Sequence, residues 1–161
     1  GQGMTSTFMQ ILKAYNIFNN NGYIIDPKIV SKIIKYKDNK HINQKAIKVI
    51  STKTVNEIKR LLIKTVDEGT GKDTKIKGLE IGGKTGTSQI ARNGKYLNKY
   101  ISSFFGFAND KQNKYTIGVT VFEPNSKGKY WYQHYASKSA VPIYKEIIQI
   151  LLMLHYLQKI E

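Results

Sequence analysis

The sequence has no cysteine, so neither a disulfide framework nor a thiolate-held metal can organise it. Arginine is almost missing as well: Arg60 and Arg92 stand alone among 26 basic residues, against 11 acidic ones, for a formal net charge of +15. Charge of that size suits a polyanion, yet base-edge and phosphate-fork recognition favours arginine, and these lysines are scattered over loops and helix faces beside many Asn and Ile. Salt-sensitive attraction to polyanions is expected, and a dedicated nucleic-acid module is the weaker reading. Long hydrophobic runs are absent: Ile147–Leu154, the most apolar stretch, is interrupted by Gln149 and falls well short of the roughly 20 residues a spanning helix needs. His41, His134 and His155 lie far apart without metal-ligand spacing, so packed or solvated roles are expected of them, with no metal and no cofactor. Repeats, low-complexity tracts and linkers are also lacking, and 161 residues that are 40% hydrophobic read as a single unit, 1–161, with a real core. Gly1-Gln2-Gly3 is a glycine turn without a charged leader, so the chain is expected to begin inside a larger protein.

What is present reads as an α+β arrangement in the order helix, helix, strands, helix. Thr7-Phe8-Met9-Gln10 has capping-box spacing, and Ile11, Leu12, Tyr15 and Phe18 follow at helical intervals until Asn19-Asn20-Asn21-Gly22 stops the run. Gly22–Val30 looks extended and Lys35–Lys45 a polar loop. A second capping box at Thr54-Val55-Asn56-Glu57 predicts a helix with Val55, Ile58, Leu62 and Val66 on one face, ending at Gly69. Gly69–Gly78 reads as loop. Tyr100–Ala108 and Tyr115–Phe122 read as strands joined by the hairpin connection Asn109–Lys114. Ser139–Leu157 reads as a closing helix with Ile143, Ile147, Ile150, Leu151, Leu154 and Leu157 inward and Pro142 tolerable in its first turn.

Residues 78–85, GLEIGGKT, satisfy the phosphate-loop pattern G-x-x-x-x-G-K-[ST], while GGKTGT contains the triplet K-T-G. A phosphate loop must open a helix whose free N–H groups hold the phosphates. After Lys84, Gly86, Asn93 and Gly94 interrupt the stretch, and Thr85, Thr87, Ser88 and Gln89 start helices poorly, so a P-loop-like nucleotide site remains only the alternative. As an edge strand over Glu80–Ile90, the tract points Lys84, Gly86 and Ser88 one way and Thr85, Thr87 and Gln89 the other. That gives a ligand carboxylate one fixed cation and two hydroxyls beside an exposed backbone edge.

Further matches stand in order along the chain: Gly1-Gln2-Gly3 before Thr5-Ser6-Thr7, Ala14-Tyr15 leading to Asn21-Gly22 and Pro27, Gly69-Thr70-Gly71, Gly83-Lys84-Thr85-Gly86-Thr87-Ser88-Gln89, Ser103-Phe104-Phe105-Gly106-Phe107-Ala108, and Pro142 with Tyr144-Lys145-Glu146. With these the chain resembles the transpeptidase domain of class B penicillin-binding proteins, most closely the division-type members, over nearly its whole length but only the C-terminal part of that domain. The resemblance implies the C-terminal half of the penicillin-binding/serine β-lactamase-like fold, with the three strands here part of a five-stranded antiparallel sheet. It implies a serine acyltransferase acting on peptidoglycan stem peptides ending in D-Ala-D-Ala and acylated by β-lactams. Lys84 would orient the serine and the substrate carboxylate, and Thr85 and Thr87 would bind that carboxylate. Gly86 and Ser88 would line the substrate strand, and the Thr87 backbone N–H would be an oxyanion donor.

The family also needs S-x-x-K and S-x-N. No S-x-N occurs, and the only S-x-x-K, Ser126-Lys127-Gly128-Lys129, follows the K-T-G triplet in a Gly- and Lys-rich stretch, so this chain by itself is expected to be inactive. The resemblance further implies an extracytoplasmic place on the periplasmic side of the inner membrane and other cell-division proteins as candidate partners. The Tyr115–Phe122 strand is expected to lack a neighbour and to self-associate, or to have the termini rearranged over it, with apolar surface bare on a sheet face. Trp131, among Tyr130, Tyr132 and Tyr135, reads as a packing residue; Glu57, Asp67 and Glu68 read as capping or solvated charges.

Overall fold

The computed structural model describes residues 2–30, 32–35, 38–41, 45–124 and 134–159, so Ser126–Lys129 and Trp131 lie outside the described residues. Helix α1 spans Phe8–Asn19 from the expected N-cap: the Thr7 hydroxyl accepts the Gln10 N–H and the Gln10 side chain accepts the Thr7 N–H. Asn21 and Gly22, at φ 52° and 87°, then reverse the chain. Two small antiparallel pairs follow, β1 (Tyr23–Ile24) with β4 (Ile47–Lys48), and β2 (Lys32–Lys35) with β3 (Asp38–His41). The expected loop Lys35–Lys45 is therefore corrected, since half of a hairpin occupies Asp38–His41.

Helix α2 (Thr52–Asp67) starts earlier than its predicted box: Ser51 is the N-cap and accepts the Thr54 N–H, which leaves the Thr54–Glu57 spacing coincidental. Its Val55, Leu62 and Val66 are buried. Strand β5 (Glu80–Arg92), strand β6 (Lys95–Asn109) and strand β7 (Lys114–Phe122) form an antiparallel sheet in the order β5-β6-β7. The first two strands are longer than expected because Asn93 and Gly94, at φ 52° and 72°, make a tight two-residue hairpin turn.

Both faces of this sheet are covered. On one, the Phe105 ring packs against Phe8 and Tyr15 of α1, at centroid distances of 5.2 and 5.8 Å, and the Lys59 ammonium of α2 sits over Phe107. On the other, Phe104, Ile117 and Val119 join helix α3 (Ala140–Met153) in the core. Phe104 meets Tyr144 edge to face at 4.6 Å. The expected bare apolar surface is thus reduced to the end of the sheet, where Phe122 of β7 is 70% exposed. The last helix also ends earlier than predicted and its inward side is shifted: Leu157 is buried and Ile147 and Leu151 pack against the core as expected, but Ala140, Val141, Tyr144 and Ile148 are the buried residues of the helix itself, and Ile143, Ile150 and Leu154 are 41%, 48% and 54% exposed. Small residues at its start let α3 lie close to Phe104. Among the described residues, no helix is long and apolar enough to cross a membrane.

Candidate active site

The K-T-G-T tract, Lys84–Thr87, lies in β5, the outer strand of the sheet. The start of that strand is covered. Thr65 of α2 donates its hydroxyl to the Gly83 carbonyl, and a Cβ at Gly82 would stand 3.0 Å from the Ile63 nitrogen. A carbonyl that accepts from a helix outside the sheet faces away from β6. By the alternation of an antiparallel ladder, the N–H and C=O groups of Thr85 and Thr87 face the same way. Helix α2 therefore closes the β5 edge as far as Gly83, and among the described residues no strand pairs with it beyond that point.

The side chains divide as the alternation predicts. Lys84, Gly86 and Ser88 stand opposite Phe105, Ser103 and Ile101, whereas Thr85, Thr87 and Gln89 stand opposite Phe104, Ser102 and Tyr100. The exposed Lys84 ammonium curls back over the strand, donating to the Thr85 carbonyl at 3.2 Å and the Thr85 hydroxyl at 3.4 Å. It has no carboxylate partner among the described residues. The Thr85 hydroxyl lies 2.8 Å from that of Thr70, and the Thr87 hydroxyl accepts the Ala136 N–H at 3.3 Å. One cation, a hydroxyl pair, a third hydroxyl and outward backbone N–H groups meet along one edge. The arrangement can hold an anion, and none of its hydroxyls is hydrogen-bonded to a carboxylate or an imidazole among the described residues.

Sequence reasoning placed Lys84, Thr85, Gly86, Thr87 and Ser88 on one strand, and they are there. It assigned no part to Thr70, although Gly69-Thr70-Gly71 was one of the family matches, and none to Ala136. His134 is buried and stacked on Tyr100; His155 is exposed after α3, and the side chain of His41 is outside the described residues. Asp67 and Glu68 pair with Lys75 and Lys64 on the surface. The phosphate-loop alternative fails on geometry, because GLEIGGKT runs into a strand that continues to Arg92 in an antiparallel sheet, and no helix N-terminus stands at Lys84.

Comparison with known proteins agrees. The family described as penicillin binding protein transpeptidase domain matches residues 1–149. The probable peptidoglycan D,D-transpeptidase PenA of Neisseria flavescens is 27% identical over 150 residues, 92% of this chain and 34% of that protein. Stage V sporulation protein D of Bacillus subtilis is 35% identical over 129 residues, 77% of this chain and 20% of that protein. The chain thus spans between a fifth and about a third of the length of these two relatives. In shape it matches the TP domain of Burkholderia pseudomallei penicillin-binding protein 3 with a TM-score of 0.76 at 24% identity, covering 100% of this chain and 46% of that one. A family match over residues 1–149, on a fold with an open K-T-G edge, places this chain in the penicillin-binding protein transpeptidase domain family.

Proposed function

We propose that this chain supplies the substrate-binding edge of a peptidoglycan D,D-transpeptidase, the activity named for the Neisseria relative. The observation that carries the reading is the β5 edge, closed by α2 up to Gly83 and lined beyond it by Lys84, Thr85 and Thr87. A stem peptide laid along that edge as an added strand would pair with the outward backbone groups of Thr85 and Thr87 and place its terminal carboxylate near the Lys84 ammonium and the threonine hydroxyls. Gly86 and Ser88 would form the strand surface beside it. A serine from an S-x-x-K segment outside this sequence would attack the penultimate D-alanine carbonyl. The Thr87 N–H would donate to the developing oxyanion, a role worth about 3–4 kcal/mol where such donors have been removed. Collapse of the tetrahedral intermediate would expel D-alanine, and the amine of a neighbouring stem peptide would take the acyl group.

The same reading places 1–161 as one unit, the C-terminal part of a transpeptidase domain, on the extracytoplasmic side of the membrane, with division proteins as candidate partners. Intact mass after incubation with penicillin tests it. The longer polypeptide that joins this chain to an S-x-x-K segment should gain one acyl group on that segment's serine, and Lys84→Ala should suppress the gain. This chain alone should stay unmodified. Failure of the longer polypeptide to acylate would refute the function, and a stoichiometric adduct on a serine of this chain would refute the division of roles.

A further inference from the structure

Thr87 and Ser102 form one rung of the β5–β6 ladder, and both hydroxyls reach the same short segment. Ser102, buried, donates to the His134 carbonyl, while Thr87 accepts the Ala136 N–H at 3.3 Å. Two rungs along, Tyr100 stacks on the His134 ring at 3.8 Å between centroids and 17° between planes, and Tyr135 meets that ring edge-on at 4.8 Å. His134 is 7% exposed and Ala136 1%. Ala136 then opens the 3-10 turn Ala136–Lys138 that leads into α3, whose Ala140, Val141 and Tyr144 lie buried under the sheet.

We propose that the Tyr100–His134 stack is a latch that orients the Thr87 hydroxyl, making His134 a positioning residue of the carboxylate-binding edge. The ligand in this proposal rests on the transpeptidase reading; the latch does not. A threonine hydroxyl has one proton and two acceptor sites. With the Ala136 N–H directed at one acceptor site, the proton of Thr87 is confined to the two staggered directions away from Ala136 and stays available to an anion lying along the edge. If Ala136 withdraws, the hydroxyl is free to rotate among its staggered wells, and the donor is no longer pre-aimed. The Ala136 amide has no anchor of its own on β5 apart from Thr87. Its distance from the strand is set two residues earlier, by His134, whose ring is clamped on Tyr100 and whose carbonyl is clamped on Ser102. A merely structural stack would stabilise the sheet without its effect passing through Thr87.

Two measurements decide it. In this chain, hydrogen exchange at the Ala136 amide should quicken about tenfold in His134→Ala and in Thr87→Val, as the loss of one net hydrogen bond requires, while exchange in the centre of β6 is unchanged. His134→Phe, which retains a ring to stack, should keep the slow rate. In the longer polypeptide with its S-x-x-K segment, His134→Ala should lower the second-order rate of acylation by benzylpenicillin, a carboxylate, about tenfold. His134→Phe should restore it, and His134→Ala should add no loss in a Thr87→Val background. Unchanged Ala136 exchange in His134→Ala would overturn the latch, as would losses that multiply in the double variant, or a His134→Phe as slow to acylate as His134→Ala. If the wild-type polypeptide does not acylate at all, the transpeptidase reading falls, and the exchange data still decide the latch.

Discussion

Gly83→Ala and Gly86→Ala add the same methyl group to the same strand, and the structure assigns them different outcomes. A Cβ at Gly83 would stand 2.5 and 2.7 Å from two ring carbons of Phe104 and 2.8 Å from the Phe105 carbonyl oxygen. Carbon atoms rest at about 3.5–4.0 Å, so the ring would have to recede by about 1 Å. Phe104 is fully buried with Tyr144 behind it, and the carbonyl belongs to the neighbouring strand. Neither neighbour can give way without moving β6 or α3. Overpacking of this kind costs about 1–3 kcal/mol, and with both neighbours blocked the upper end applies. For a chain of this size that is a fall in Tm of roughly 6–12 °C. A Cβ at Gly86 would meet only the Ser103 hydroxyl, at 2.7 Å, which can rotate aside. There the unfolded chain loses freedom as well, a gain of about 0.4–1 kcal/mol, so the net change should be near zero. Thermal and urea unfolding of both variants, with Phe104→Leu added to Gly83→Ala as a space-making partner, is the assay. Equal costs for the two alanines, or a Gly83→Ala Tm within about 2 °C of wild type, would refute the packing argument.

Three further outcomes are expected. In the acylating polypeptide, Lys84→Ala should reduce acylation more than Thr87→Ala, because the first removes a charge-assisted contact and the second leaves the backbone N–H in place; the opposite ranking would reverse the role assignment. The Asp110 carboxylate accepts N–H groups of Asn113, Gln112 and Gln158, and these bonds, Asn113 first, hold its pKa down at about 2 from the usual 3.8. A depressed folded value means the contribution is complete above 3.8 and lost as pH falls through about 2, so the Gln158 amide shift should titrate near there, and a midpoint near 4 would sink the idea. At micromolar concentration the chain should self-associate through the outer edge of β7, giving slow exchange along Tyr115–Phe122; a monomer with fast-exchanging amides there would contradict it.

The sequence made some parts of the molecule legible and hid others for identifiable reasons. Helix α1 was readable because Thr7 and Gln10 cap it through local bonds. The start of α2 was not, because Ser51 and Thr54 are both good caps and only the backbone decides between them. Asn93-Gly94 breaks a helical reading of the tract but is a hairpin signal, and weighing it only as a breaker shortens two strands at once. On α3 the larger aliphatic residues marked a plausible inner face, but the space over Phe104 accepts the smaller Ala140 and Val141. The site shows the same division. Lys84 to Ser88 are consecutive in one strand, so alternation alone orders them. Thr70 and Ala136 reach that strand across 15 and 49 residues, and no local pattern marks such distances.

The two edges of the sheet face the same physical hazard and meet it differently. An unpaired strand invites any extended chain, and proteins discourage it with charge, irregularity or cover. Strand β5 has all three: α2 over Gly82–Gly83, Lys84 at the first uncovered position, and an irregular register between Gln89 and Ala91. What stays accessible is a short length centred on Thr85 and Thr87, enough for a few residues of a peptide and too little for a long strand. The outer edge of β7 has Lys114 at its start, and then Thr116 to Phe122 without a charge or a register shift. Among the described residues no strand pairs with it. A selective edge and an open one thus share the same three-stranded sheet, and the substrate strand proposed above is the selective one.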